Sequence, residues 1–173
     1  NMTLYSNAGT LTLTSTATIN TTSSAYSLTF GGNLNTTVSG IISGAASLTK
    51  DGSGILFLDA ENTYTGSTNI QNGIVQVQKS NALGSLTAGT GSDITTISNA
   101  AALQIFGSGL TIPEAITING SGISNGGAIR NFTGSTGVNV LSNTITLNSA
   151  SKINVDAGSC LLYTSPSPRD VEE

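Results

Sequence analysis

Apolar and hydroxyl side chains alternate along much of this chain. In GTLTLTSTATIN, residues 9–20, Leu11 and Leu13 alternate with Thr10, Thr12 and Thr14, the period-two pattern of a strand with one buried face. The pattern returns in YSLTF (Leu28, Phe30), GIVQVQ (Val75 and Val77 against Gln76 and Gln78), LQIF (Leu103, Ile105), ITING (Ile116, Ile118), ITLN (Ile145, Leu147) and KINVDAG (Ile153, Val155). Each run predicts one short strand. Between the runs lie Gly31-Gly32, Asn72-Gly73, Asn119-Gly120 and Asn125-Gly126, pairs that reach positive φ at least cost and so mark turns. Apolar spacing at a helical period is not evident.

Strands this short do not form stable isolated hairpins. Their regular interruption suits an array in which each turn of chain buries its apolar side on its neighbours. The predicted fold is therefore all-β, a right-handed parallel β-helix or β-solenoid. At roughly 20–30 residues per coil it would hold about six to eight coils and extend roughly 30–40 Å at ~4.8 Å per coil. A sandwich or barrel also accommodates short strands separated by turns, but aromatic residues make up only 5% of the sequence, too few for the large side chains that fill such interiors.

Composition narrows the function classes. The chain has 173 residues, one domain's worth, with 8% charged residues, a net charge of −4, no histidine and no tryptophan. Five Lys and Arg in total cannot build a phosphate-binding stripe, which excludes nucleic acid as a partner. Mean hydropathy is +0.13 and no apolar run approaches the ~20 residues of a membrane-spanning helix. The ending CLLYTSPSPRD, Cys160 to Asp170, brings the only Cys and two of the three Pro. It resembles the translated transposase adaptor of sequencing-library preparation. Residues 160–173 are therefore expected to be an artefactual, disordered tail, leaving a β-solenoid segment at 1–159 cut from a longer reading frame. That segment has no Cys, hence no disulfide and no thiolate metal site.

One stretch is more specific. LTKDGSGILFLDAENTYTGSTNIQNGIVQVQ, residues 48–78, resembles the autotransporter-associated β-strand repeat, or passenger-associated transport repeat. That repeat runs Leu-x-Lys-x-Gly-x-Gly, a β run, Asn-x-Tyr-x-Gly, then Gly and a second β run. The corresponding positions here are Leu48, Lys50, Gly52, Gly54, Leu56, Leu58, Asn62, Tyr64, Gly66, Thr68, Ile70, Gly73, Val75 and Val77. The likeness extends through Asn81–Ser85, so that the best match is 48–85. Residues 127–159 resemble a degenerate second copy that has lost the Asn-x-Tyr-x-Gly element. Physically, Gly52 and Gly54 permit a tight corner, Ile55–Leu58 make a strand apolar on both faces, Asn62–Gly66 make the next corner, and Val75 and Val77 point inward. One motif then makes about one coil, with Asn62 and Asn72 as candidates for intercoil amide ladders.

The resemblance implies a fragment of a bacterial passenger, secreted or displayed at the cell surface. In that family the repeat aids export and extracellular folding. The implied partner is an outer-membrane β-barrel translocator in the C-terminal part missing here; a host-surface or glycan ligand is left open. The alternative class is a carbohydrate-active β-helix of polysaccharide-lyase type. It needs a convergent cluster in which a base, for which Lys50 is the candidate, abstracts a proton α to a uronate. Asp51, Asp59 and Glu61 surround that single Lys, with Arg130 remote, and all read more naturally as solvated corner charges. Tyr64 serves either as a sugar platform or, more simply, as a packed corner residue. An EF-hand loop and the calcium β-roll nonapeptide are absent, and with no histidine in the chain no serine can be activated by the usual triad. The sequons at Asn20, Asn35, Asn119 and Asn131 follow from composition. No catalytic residue, cofactor or metal is assigned, and the expectation is a non-enzymatic structural segment.

Overall fold

Short alternating strands gain lasting partners only by stacking, and in the computed structural model, which describes residues 1–85, 93–132 and 137–163, they stack in parallel. Coil one is β1 (Met2–Tyr5), β2 (Leu11–Leu13) and β3 (Thr18–Thr21). Coil two is β4 (Ser27–Gly31), β5 (Thr36–Val38) and β6 (Ile41–Gly44); coil three is β7 (Ser47–Lys50), β8 (Ile55–Leu58) and β9 (Thr63–Tyr64). Coil four has β10 (Thr68–Ile70) and β11 (Gly73–Val77). Coil five is β12 (Thr95–Ile97), β13 (Ala101–Ile105) and β14 (Thr111–Ile112). Coil six is β15 (Ile116–Ile118), β16 (Ile129–Asn131) and β17 (Val138–Leu141), and coil seven is β18 (Ile145–Leu147), β19 (Ile153–Val155) and β20 (Cys160–Tyr163).

The first strands of the coils form one 7-stranded sheet and the second strands another. The third strands form two 3-stranded sheets, β3-β6-β9 and β14-β17-β20. Between these two sheets, buried Ala82 and Leu83 stand where a third strand of coil four would lie. The fold is thus a parallel β-solenoid of about seven turns, as the alternation predicts. Hydrogen bonds between coils span 20 residues around coil three, as from Ile42 N to Asn62 Oδ1. They span 29 later, as from Leu110 N to Asn139 Oδ1.

Because the strands are in register, each inward position becomes a column. In the first sheet Leu4, Phe30, Lys50, Ile70, Ile97, Ile118 and Leu147 follow one another. In the second, Leu13, Val38, Leu58, Val77, Ile105, Asn131 and Val155 do so. Burying each aliphatic side chain contributes about 1.5–3 kcal/mol, and the columns merge into one continuous core. The outward column of the first sheet reads Thr3, Thr29, Thr49, Asn69, Thr96, Thr117 and Thr146. Branched hydroxyl residues suit such a pleated, solvated face. No helix among the described residues is long and apolar enough to cross a membrane.

The expectation of a disordered tail fails for its first residues. Cys160–Tyr163 form β20, paired with β17 from Val138↔Cys160 to Leu141↔Tyr163; residues 164–173 lie outside the described ones. The physical reason is the open edge. An unpaired parallel strand accepts any short apolar segment of β-prone residues, and Leu161 packs against the core. The last coil still leaves an apolar cavity of about 340 Å³ between Leu147, Ile153, Val155 and Leu161.

Candidate functional site

Coil three carries most of the motif. Of its positions at Leu48, Lys50, Gly52, Gly54, Leu56, Leu58, Asn62, Tyr64, Gly66, Thr68, Ile70, Gly73, Val75 and Val77, all but Gly52 and Gly66 are buried. They are therefore the inward face and corners of one coil and of the start of the next.

Lys50 sits at an inward position between Phe30 and Ile70 and is 3% exposed. This corrects its reading as a solvated corner charge. Its chain is too long to stay within the column, so the ammonium turns into the corner. There Nζ donates to the carbonyls of Asp51 (2.9 Å), Gly52 (2.6 Å) and, one coil on, Asn72 (3.3 Å). An ammonium has one proton for each acceptor. Burial pushes its pKa down to about 8, opposed by the charge of Asp51. A lysine so enclosed is not placed to abstract a proton from a polymer in a groove.

The glycines explain how the ammonium fits. Gly32, Gly52 and Gly73 all have positive φ, of 103°, 78° and 71°, at successive turns of the corner between first and second strands. A Cβ on Gly73 would lie 2.9 Å from Lys50 Nζ and 2.4 Å from the Gly52 carbonyl oxygen. Lys50 and Gly73, far apart in the motif, are thus two halves of one contact.

Asn62 performs the corresponding task at the third face. Its Oδ1 accepts from Ile42 N at 2.9 Å in coil two, and its Nδ2 donates to the Ala82 carbonyl in coil four at 2.6 Å. The expected asparagine ladder is corrected here: Asn62 clasps backbone in both neighbouring coils, and Asn72 donates to Asp51 Oδ1 at 2.9 Å. Amide bonds between coils do form elsewhere, from Asn148 to Asn119 at 2.9 Å and Gln76 to Gln104 at 3.1 Å, while Asn139 to Asn131 at 2.9 Å joins two strands of coil six. The Gln76–Gln104 bond joins outward positions, yet Gln76 is 7% exposed.

Tyr64 is 1% exposed, so neither ring face is open to a sugar. It pairs with Gly44 in the preceding coil, and a Cβ on Gly84 would come within 3.1 Å of its ring. The missing side chain at Gly84 therefore leaves room for the ring. Its hydroxyl meets Thr68 Oγ1 at 2.7 Å, and burial raises its pKa above the ordinary phenol value.

The remaining charges of the coil diverge. Asp51 accepts from Gly52 N at 2.7 Å and from Asn72, which lowers its pKa. Asp59 faces Ser39, and burial raises its pKa. Glu61 accepts from Asn81 N at 2.7 Å. Arg130 makes a bidentate pair with Asp156, at 2.8 and 2.9 Å, in the later coils. Among the described residues no cluster of three or more His, Cys, Asp or Glu is gathered.

Two features escaped the sequence reading. Glu114, at the corner after β14, is 2% exposed with Oε1 unpartnered. Burial, helped by the charge of Asp93, raises its pKa to about 8. An acidic residue beside Pro113 gives no hydrophobic signal of burial. The second is an Asn that persists within the degenerate copy. Asn139 accepts from Leu110 N at 2.8 Å and donates to the Gly107 carbonyl at 3.0 Å, so it stands in register where Asn62 stands in coil three. Leu141, two residues on, takes the place of Tyr64. The Asn of the motif persists there and the Tyr has become Leu; residues 133–136 of that copy lie outside the described ones.

These contacts define the protein's class: a parallel β-solenoid whose repeat positions hold successive coils together. Residues 48–77 match the family described as Passenger-associated-transport-repeat, the repeat of autotransporter passengers. No curated protein and no solved structure matches the chain.

Proposed function

We propose that this chain is a non-enzymatic structural segment of a bacterial autotransporter-type passenger, secreted or displayed at the cell surface, whose coils support export and extracellular folding. Residues 1–159 are the passenger segment, and 160–173 derive from an adaptor. The observation that carries the reading is the inward placement of the matched repeat: its charged, amide and aromatic positions are spent on joining coils. What the coil presents outward is mainly hydroxyl and amide, as in the Thr and Asn column of the first sheet. Such a chain passes a narrow pore unfolded, since its only Cys forms no internal disulfide, and then adds coil upon coil to an exposed edge. Its partner in export is an outer-membrane β-barrel, and adhesion belongs to parts of the parent outside the repeat.

The test is display. Residues 1–159 are fused between a secretion signal and an outer-membrane barrel, and surface exposure is read with an external protease and an antibody. The wild-type segment is expected at the surface as a protease-resistant core, with Tyr64→Ala reaching it several-fold less. Equal display of both sequences would contradict a role for the repeat in export.

A further inference from the structure

The sequence holds three Asn-Gly pairs, Asn72-Gly73, Asn119-Gly120 and Asn125-Gly126, and the solenoid treats them differently. Asn72 donates its amide to Asp51 Oδ1, and Gly73 opens β11 in register with Ala101. Asn119 is held at both ends of its amide, donating to the Ile97 carbonyl at 2.9 Å and accepting from Asn148 at 2.9 Å; Gly120 N donates to Ser149 Oγ at 2.8 Å. Asn125 alone of the three has a side chain without a hydrogen bond. It is exposed and ends the 3-10 turn Ile123–Asn125. Ser124 and Asn125, with φ of 51° and 60°, are the two non-glycine residues of positive φ among the described residues, so this turn carries backbone strain.

We infer that Asn125 is a site of spontaneous deamidation, a built-in chemical clock on the corner of coil six. In the reaction the Gly126 backbone nitrogen attacks Asn125 Cγ. The new C–N bond closes a five-membered succinimide, and the side-chain nitrogen leaves as ammonia carrying the proton lost from the Gly126 amide. Water then opens either carbonyl, giving aspartate or isoaspartate. Ammonia leaves and water enters, and no enzyme or oxidant is required. The only hydrogen bond to be given up is that from Gly126 N to the Ile123 carbonyl, 2.9 Å long, within one exposed turn. At Asn119 the two amide bonds and the Gly120 bond must be released, and each hydrogen bond held slows the step by about fivefold. The product places a carboxylate beside Lys152, whose Nζ donates to the Asn125 carbonyl at 2.8 Å; the isoaspartyl form also lengthens the backbone at that corner.

The experiment is peptide mapping by mass spectrometry of the intact chain after incubation at mildly alkaline pH, folded and in concentrated urea. In the folded chain Asn125 is expected to convert about tenfold or more faster than Asn119 and faster than Asn72, whose side chain is held by Asp51 and whose carbonyl is held by Lys50, and in urea the three converge. Gly126 has φ −81°, open to alanine, and a Cβ there would meet only the Ile123 carbonyl oxygen at 3.0 Å within an exposed turn that can shift slightly, so Gly126→Ala is expected to keep the fold and slow conversion at Asn125 alone. Conversion at Asn72 or Asn119 as fast as at Asn125 in the folded chain, or no conversion at Asn125, would overturn the inference.

Discussion

Replacing Tyr64 by alanine is expected to cost about 3–5 kcal/mol, a large share of the ~5–15 kcal/mol that holds a typical domain together. The ring is among the largest fully buried side chains. Its cavity would lie against Gly84, which has no side chain to collapse into it, and Thr68 Oγ1 would lose one of its two partners. For a chain of this size the midpoint of thermal unfolding should fall by roughly 10 °C. Tyr64→Phe keeps the packing and loses only the hydroxyl bond, about 1 kcal/mol. Equilibrium denaturation of both variants checks this. A Tyr64→Ala loss no larger than that of Tyr64→Phe would remove the ring from the core.

Lys50→Met should destabilise by about 2–3 kcal/mol at neutral pH although it replaces a charge with an apolar chain, because the carbonyls of Asp51, Gly52 and Asn72 lose their donor. Swapping a buried charge for a hydrophobe is tolerated when its partners go too; here they are backbone and stay. The pH dependence identifies the group. Lys50 titrates near 8 when folded and 10.5 in the ordinary state, so the unfolded chain binds more protons between those values. Its contribution is fullest above pH 10.5 and is lost as pH falls through 8. Stability should therefore rise with pH from about 8 toward 10, and Lys50→Met should abolish the rise and widen its deficit. Glu114 acts oppositely. Its folded pKa of about 8 stands above the ordinary 4.5, so stability is full below 4.5 and is lost as pH rises through 8, a slope that Glu114→Gln should remove. A flat profile in the wild type would contradict both placements.

What the sequence reveals here follows from which side chains announce burial. Strands with two apolar inward positions, such as Leu28 and Phe30 or Ile116 and Ile118, are visible as alternation, and so is the coil to which the repeat belongs. Strands whose inward positions are polar are not. Thr36, Thr68 and Thr95 are buried at 3%, 1% and 0% exposure, so β5, β10 and β12 read as surface or turn. The repeat motif marks Lys50, Asn62 and Tyr64 without saying that they face inward. A lysine counts as solvated until three carbonyls are found around its ammonium, and those belong to two coils. Asn62 likewise gains its meaning from Ile42 and Ala82, each 20 residues away. Glu114 has no local signature, because its burial is set by coils that pack around it. Long-range register decides these cases, and one strand's hydropathy does not contain it.

The central claim is that this stretch is built of coils 20 residues long, and a pair of deletions tests it most directly. Leu48 pairs with Thr68, so removing 48–67 joins Ser47 to Thr68 with every inward column still in phase. Removing 62–77 instead takes β9, β10 and β11 and joins Glu61 to Gln78 out of phase. Circular dichroism and thermal melting of the two shortened chains are then compared. The account predicts a cooperative β-rich protein, one coil shorter, from the first deletion and loss of cooperative melting from the second. Equal damage from both, or a cooperative melt only from the second, would contradict the coil as the unit of this fold.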